Sequence, residues 1–550
     1  MKREILGSID DFIGEEIYSS LGNSEKQMMK VASLFDRPFE ANALFIDEGL
    51  DFDTLLTLRN KSLIRMVADG RYEAHEVIRL YFRRILTPSE KERYSREILP
   101  YLLEQGRRAR RSYRNDDAIG YFSNALELEV GDGGRLKALE ELGGIHELIG
   151  QYDQALDRYQ RVLSLSPDVE ISAKIQRKMG RVHLLTGDAK TALKVLQKAR
   201  EIVEDDDSLE AGKLRLAHAQ VLHRMRRWEE SRKMAHEALD ILKRRQDQED
   251  ELGKVHSILG LSHIFGEPQD LEEAEKHLLA SLDLRKRAGS LEGEGATQNN
   301  LGILYVHLGD GEKALEHLRD GVKLAEETGS FYTAAKVTLT TGCAHYELLG
   351  EFDEGEKQIG KAIQIAQDAG DEYIQCIGHR NLSRVHRYKG DLERALEHSL
   401  KYLDLAEKTG MVWDQMNAHL ERAKEFLALG RLSDATTSCG MAHRMASDLD
   451  ETLQTADCLR VQGAIHRSEG NWKESQAALS RAIELLEEAK DEFGLAMAYY
   501  DYALFYRDTG IPEKARQFAD RAVKLFESLR VHWLAKRVKD DIGRLKGAPT

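Results

Sequence analysis

Over most of this chain apolar residues recur three and four positions apart, in blocks punctuated by glycine. Residues 296–328 show the unit. Leu301, Leu304, Tyr305 and Leu308 form one stripe at the spacing of a helix face. Gly309 stands where helices commonly end in a left-handed residue, and Asp310 suits the N-cap of a following helix. Ala314, Leu315, Leu318, Val322 and Ala325 form a second stripe. The unit reads as two antiparallel helices across a short turn.

The unit recurs eleven times between residues 106 and 522. A small residue is followed by a punctuating residue, then by a second small residue and usually a third, as in Gly302, Gly309, Ala314 and Gly321. The second small residue falls at 118, 155, 192, 231, 274, 314, 355, 395, 435, 475 and 515, a period of about 40 residues. Small residues belong where two helices cross, because a longer side chain would hold the backbones apart. Cys343, Ser383, Ala423 and Ala503 take the place of glycine at the crossing in other copies. One such pair cannot bury a core alone, so the copies must stack into a solenoid. Some copies depart from the pattern. Arg226 and Arg227 stand where the turn glycine would be, Gly355 replaces the alanine, and residues 266–268 form an insertion.

Segments such as LGILYVHLGDGEKALEHLRDGVKLA and LSRVHRYKGDLERALEHSLKYLDLA resemble the tetratricopeptide repeat (TPR), over roughly residues 100–546. The units are longer than the ~34 residues commonest in that family. The resemblance implies an all-α fold, a right-handed superhelix (an α-solenoid) of about eleven helix pairs. We place the array at residues 91–530 and a capping helix at 531–546, with Trp533, Leu534 and Val538 on its apolar side.

The first ninety residues follow another pattern. Helices are expected at 9–21, at 24–35 with Ser24 as N-cap, at 40–46, 51–61 and 76–85. Two short strands flank Asp69-Gly70, a strong hairpin-turn signal. This is the layout of a small winged-helix domain at 1–90. Residues 15–86 resemble the winged-helix part of signal-transduction ATPases with numerous domains (STAND), especially archaeal and NB-ARC-like members. In that class a P-loop ATPase precedes the winged helix and repeats follow it as a sensor. Ala74-His75-Glu76 resembles its Met-His-Asp motif, which implies His75 as a candidate nucleotide-sensing residue. The sequence contains no G-x-x-x-x-G-K-[ST]. Its nearest approach, GEKQIGK at 355–361, is expected inside a helix, and Ala362 replaces the hydroxyl that Mg²⁺ needs. The chain therefore reads as the C-terminal half of such a protein, with an ATPase acting in trans as a candidate partner.

Charge narrows the reading further. The net charge is −15. Residues 1–60 carry six Lys/Arg against twelve Asp/Glu, and residues 61–116 fourteen against eight. The negative sign over the candidate reading helix opposes the counterion release that drives DNA binding. A winged-helix transcriptional regulator is therefore the alternative, together with the nucleotide-sensing half of a split STAND ATPase. No apolar run approaches the length of a membrane span, and the N-terminus is too acidic for a secretory signal. The four cysteines follow no metal or redox spacing, so a cytoplasmic protein with reduced thiols is expected. No catalytic motif is present, and neither an enzyme activity nor a cofactor or metal is expected. His146, His183, His263, His386 and His466 share one place in the repeat, which signals packing rather than ligation.

The expected role is a protein–protein interaction scaffold or sensor in signalling. In the TPR family the first helix of each pair faces the concave groove. The family's inward positions place Arg380, Arg384 and Arg387 in one stripe and Arg177 and Arg181 in another, continued by Arg460, Arg467 and Arg507. Guanidinium forks suit carboxylates, so the partner expected is a protein or peptide of acidic character. Asn299, Asn300 and Asn381 suit the backbone of an extended peptide. GRRARRSYR at 106–114 is a second basic cluster.

Overall fold

The computed structural model describes residues 12–67, 70–128, 131–203, 207–266 and 269–543. They belong to two compact units, Met1–Ile175 and Gln176–Thr550.

The described part of the first unit begins with a π-turn and a 3₁₀ turn at Ile13–Ile17 and Tyr18–Ser20. Helices α1 (Asn23–Ala32) and α2 (Phe52–Asn60) follow, then strands β1 (Ile64–Met66) and β2 (Tyr72–Ala74), then α3 (Glu76–Arg84). The strands pair antiparallel with Arg65 opposite Glu73, and Phe39 bridges to Tyr72 on the other side of β2. Asp69 of the expected turn lies outside the described residues. Helix α1 begins one residue before the expected cap. Gly22 is its N-cap, and its N–H donates to the Glu25 carboxylate at 2.7 Å, so Ser24 lies inside the first turn. A single apolar core runs from Ile13 to Ile145 and joins these elements to the first repeats. Buried Asn124 crosses that junction, donating to Leu34 O at 2.9 Å and accepting from Asp36 N–H at 3.0 Å.

Among the described residues eleven helix pairs follow, from α4 (Pro88–Arg111) and α5 (Asn115–Glu127) to α24 (Glu492–Asp508) and α25 (Pro512–Ser528). Helix α26 (His532–Gly543) ends the described chain, with Leu534, Val538 and Ile542 buried against the last pair. The fold is an all-α superhelix of stacked helix pairs. Each second small residue of the sequence pattern is the fourth residue of a second helix, and each is buried. A β-carbon on Gly143, Gly180, Gly302 or Gly463 would lie 2.5–2.8 Å from a side chain one helix away, respectively Tyr159, Leu196, Leu318 and Leu479. Where serine replaces alanine, its hydroxyl bonds across the same crossing: Ser231 Oγ donates to Ala219 O and Ser475 Oγ to Gly463 O, both at 2.7 Å.

One copy shifts register. In α16 (Phe331–Ala344) the crossing residue is Gly342 rather than the expected Cys343: its β-carbon would meet Ile359 at 2.6 Å. The helix continues into a π-turn, His345–Leu349, which absorbs the extra residue before the turn glycine. GEKQIGK lies within the helix Phe352–Ala369, as its apolar spacing requires.

Candidate functional site

Within Gln176–Thr550 the first helices of successive repeats pack directly on one another, which puts them on the inside of the curve. Their inner positions carry charge. On α18 (Glu372–Lys389), Arg384 Nε donates to Glu421 Oε1 at 3.0 Å. Arg387 Nη1 donates to Glu421 Oε2 at 2.6 Å and to Glu425 Oε1 at 2.8 Å. Both acceptors sit on α20 (Val412–Ala428) and are fully buried. Lys424 of the same helix donates to Asp457 at 2.9 Å on α22 (Thr452–Glu469). Arg460 then bridges Asp457 to Asp501, at 2.9 Å to the latter, on α24. Arg467 reaches Asp508 at 3.4 Å. The expected arginine stripe is thus largely a relay of ion pairs crossing four successive repeats.

Burial and neighbouring charge set the protonation of the relay. Burial opposes ionisation of Glu421, but Arg384, Lys424 and Arg387 outweigh it and hold its pKa well below the usual range. Glu425 is pushed up to about 7 by burial, with Arg387 opposing and Glu421 adding to the rise. Asp457, buried but facing Lys424 and Arg460, is held at about 2.

The other expected residues divide. Arg177 grips Glu210 with both ends of its fork, at 2.6 and 3.3 Å, and Arg181 reaches Glu292 at 3.5 Å. Asn299, Asn300 and Asn381 are buried. Asn299 Oδ1 accepts from Thr340 Oγ1 at 2.9 Å, and Asn381 Oδ1 from Tyr346 OH at 2.8 Å, so these amides tie neighbouring first helices together. Arg380 stands apart: its guanidinium lies 5.9 Å from the Trp413 ring and its Nε is buried without a hydrogen bond. His75 is the exposed N-cap of α3, its N–H donating to Leu63 O at 3.2 Å. In the basic cluster, Arg107 and Arg110 pair with Glu141, Arg108 with Glu104 and Arg114 with Asp117. The shared histidine position packs as expected. His146 bonds Gln151 at 2.6 Å, and the π-turn brings His345 to the same place against Glu351 at 2.7 Å.

Sequence reasoning missed residues beside Arg380. Arg224, the last residue of α10 (Leu209–Arg224), donates to Tyr332 OH at 3.0 Å and stacks 3.7 Å from the Tyr373 ring. Arg226 adopts φ +61 in the turn that other copies give to glycine, and lies 3.9 Å from the Trp413 ring. Tyr332, Tyr373 and Trp413 occupy the second position of three successive first helices. That shared place, and the arginine in a glycine's turn, were the available signals.

Family models for the tetratricopeptide repeat match residues 138–171, 171–244 and 254–327. These matches fall on the helix pairs just described. The chain is a tetratricopeptide-repeat protein. A model for anaphase-promoting complex subunit 5 matches residues 327–381 and 388–509 of this TPR protein. Among curated relatives, the 43 kDa receptor-associated protein of the synapse from Tetronarce californica is 22% identical over 205 residues, 36% of this chain and 50% of its own length. Regulatory protein AfsR from Streptomyces griseus is 22% identical over 457 residues, 78% of this chain and 43% of its own. The chain thus spans half or less of the length of these relatives. A STAND protein with a tetratricopeptide repeat sensor from Pyrococcus horikoshii superposes with TM-score 0.47 at 19% identity, over 80% of this chain and 66% of that one. A Rap protein complexed with competence and sporulation factor gives TM-score 0.48 at 17% identity, over 65% and 99%. Among the described residues of the TPR protein, no helix is long and apolar enough to cross a membrane, and no group of three His, Cys, Asp or Glu is placed to hold a metal ion.

Proposed function

We propose that this TPR protein is a non-catalytic, cytoplasmic interaction module whose inner face receives a segment of a partner polypeptide. The observation that carries the reading is the division of labour on the first helices. Their crossing positions are small, whereas Arg380, Arg384, Arg387, Arg467 and Arg507 stay partly open to solvent on the inner side. Charge held there adds little to stability, because desolvation offsets much of the attraction in each pair. It does give a directional, polar surface on which a partner can be recognised. The elements before residue 90 fit a winged helix, α1 and α2 with the β1–β2 hairpin as wing. In a STAND-type arrangement that domain would relay the state of the repeats to an ATPase in trans, with His75 at the nucleotide.

The test is site-specific photo-crosslinking of the full chain in lysate. A crosslinking residue at Arg507 on the inner face should give discrete adducts that one at the exposed Arg481 does not. Equal labelling at both positions, or labelling at Arg481 alone, would remove the inner-face reading.

A further inference from the structure

In the second unit, turns that join the two helices of a pair meet the chain about five pairs further along. A β-carbon on Gly187 would lie 3.7 Å from Tyr373 Cβ and 3.4 Å from Thr409. The next such turn carries Arg226, whose guanidinium lies 3.9 Å from the Trp413 ring. Arg224, at the end of α10, stacks 3.7 Å from the Tyr373 ring and donates to Tyr332 OH at 3.0 Å. Gly309 and Gly350 repeat the arrangement against Leu529 and Trp533. On Gly390, Gly430, Gly470 or Gly510, by contrast, a β-carbon would meet nothing within 4 Å among the described residues. The covered turns form a seam that draws distant pairs together.

The two ends of the seam are built differently. At Trp533 the facing turn carries a left-handed glycine, Gly350, and the indole N–H finds the Glu347 carbonyl. At Arg226 a long side chain adopts φ +61, where Gly187, Gly309 and Gly350 serve in other pairs. A residue with a β-carbon is strained there, and the contact of its head group must hold it. That seat is imperfect. Asp371 lies beside Arg224, and Glu451 and Asp414 beside Arg226. Yet Arg224 Nη1, Arg226 Nε and Trp413 Nε1 are buried without a hydrogen bond. Buried donors are ordinarily satisfied, so the seam is weakest here. The seat also covers part of the inner face. Tyr373 stands seven residues before Arg380 on α18, and Trp413 eleven before Lys424 on α20, spacings that keep each on the inward side of its helix. One end of the inner face is thus occupied by a turn of the same chain.

We propose that the 224–226 turn is an autoinhibitory latch. Closed, it covers Tyr332, Tyr373 and Trp413, and a partner segment reaches that end of the inner face only after the turn lets go. The assignment rests on the partner-binding role proposed above and adds its regulation. Latch and partner compete for the same rings, so weakening the first strengthens binding of the second.

Two readouts on the full chain test the latch. The first is the distance between spin labels on Arg227→Cys and Val412→Cys, exposed positions beside the seat, in a Cys343→Ser background because the other thiols are buried. The parent should give one narrow distance, and Arg226→Gly a longer and broader one. Glycine suits the turn, so helix content should stay unchanged. The second readout is a photo-crosslinking residue at Lys336, one helical turn from Tyr332, compared in lysate with one at Arg507. Arg226→Gly should raise adducts at Lys336 about tenfold, the population shift from losing one desolvated cation–π contact. Adducts at Arg507 should not change. Gly187→Cys/Tyr373→Cys, with β-carbons at disulfide distance, locks the seam from its other strand. Oxidised glutathione should abolish its Lys336 adducts, and dithiothreitol should restore them. An unchanged label distance in both Arg226→Gly and Trp413→Ala overturns the latch. A changed distance with unchanged Lys336 adducts overturns the inhibition. Arg507 adducts that persist through either failure leave the interaction role standing. Adducts at neither position sink that role and the inhibition with it.

Discussion

A β-carbon at position 302 would sit 2.6 Å from Leu318, so the crossing tolerates nothing larger than glycine there without movement. Gly302→Leu should cost about 1–3 kcal/mol by overpacking. Hydrogen exchange should show protection lost first in α14 (Leu291–His307), in its partner Gly311–Thr328 and in the adjoining pairs. Uniform loss along the array would contradict nearest-neighbour packing. The histidines give a second residue-scale prediction. His379 and His398 face each other at 3.0 Å between ring nitrogens, and His386 stacks on His398 at 5.2 Å. Burial, then the neighbouring histidine, lowers His379 and His398 to about 4. Glu397, Lys401, Glu356, Asp391 and Arg394 also face this trio. The folded state therefore binds fewer protons than the unfolded chain. Stability from these groups is complete above about pH 6.5 and is lost as pH falls toward 4. Urea midpoints should drop between pH 7.5 and 5, and His398→Phe should flatten that dependence in its own repeat.

At the scale of elements, the relay from α18 to α24 makes a sharper prediction than any single surface pair. Removing Arg387 leaves fully buried Glu425 without a cation, while Glu421 keeps Arg384 and Lys424. Arg387→Ala should destabilise by about 3–5 kcal/mol, the usual penalty for an uncompensated buried charge. Glu425→Gln in the same background should recover part of the loss, as read by chemical denaturation. How far these elements were legible follows from their physics. Helix pairs, turns and crossings could be read because a 3.6-residue period and a required small residue leave marks in the sequence. The π-turn at His345–Leu349 could not, since one extra residue in a helix disturbs the pattern no more than a tolerated substitution does. That is why the repeat spacing points to Cys343 where Gly342 makes the crossing. The arginine stripe was legible as inward-facing charge. Its pairing was not, because Glu421 and Glu425 lie some forty positions away and only stacking brings them to Arg384 and Arg387. Arg226 was visible as a departure from the repeat, but what it departs for, the Trp413 ring, depends on contacts between distant repeats.

At the scale of the second unit, such distant contacts recur. Trp533 Nε1 of α26 donates to Glu347 O at 2.8 Å, across 186 residues. Its ring meets Phe352 edge-on at 5.1 Å and Tyr388 at 5.0 Å. Gly309 approaches the Leu529 carbonyl in the same way. Trp533→Ala should therefore raise proteolytic sensitivity at the turn around Gly350 as well as at α26. Sensitivity confined to the C-terminus would show that the contact carries no load.

The Trp533 seat also bears on how this gene can change. An open array gains or loses a unit with little penalty beyond the unit itself, since each copy answers only to its neighbours. Here the interval between Glu347 and Trp533 must keep both its number of units and their pitch, or the indole misses its carbonyl and its two rings. Gain or loss of a unit inside this interval should therefore break the contact. The distant contact turns a repetitive stretch of sequence into one of fixed length.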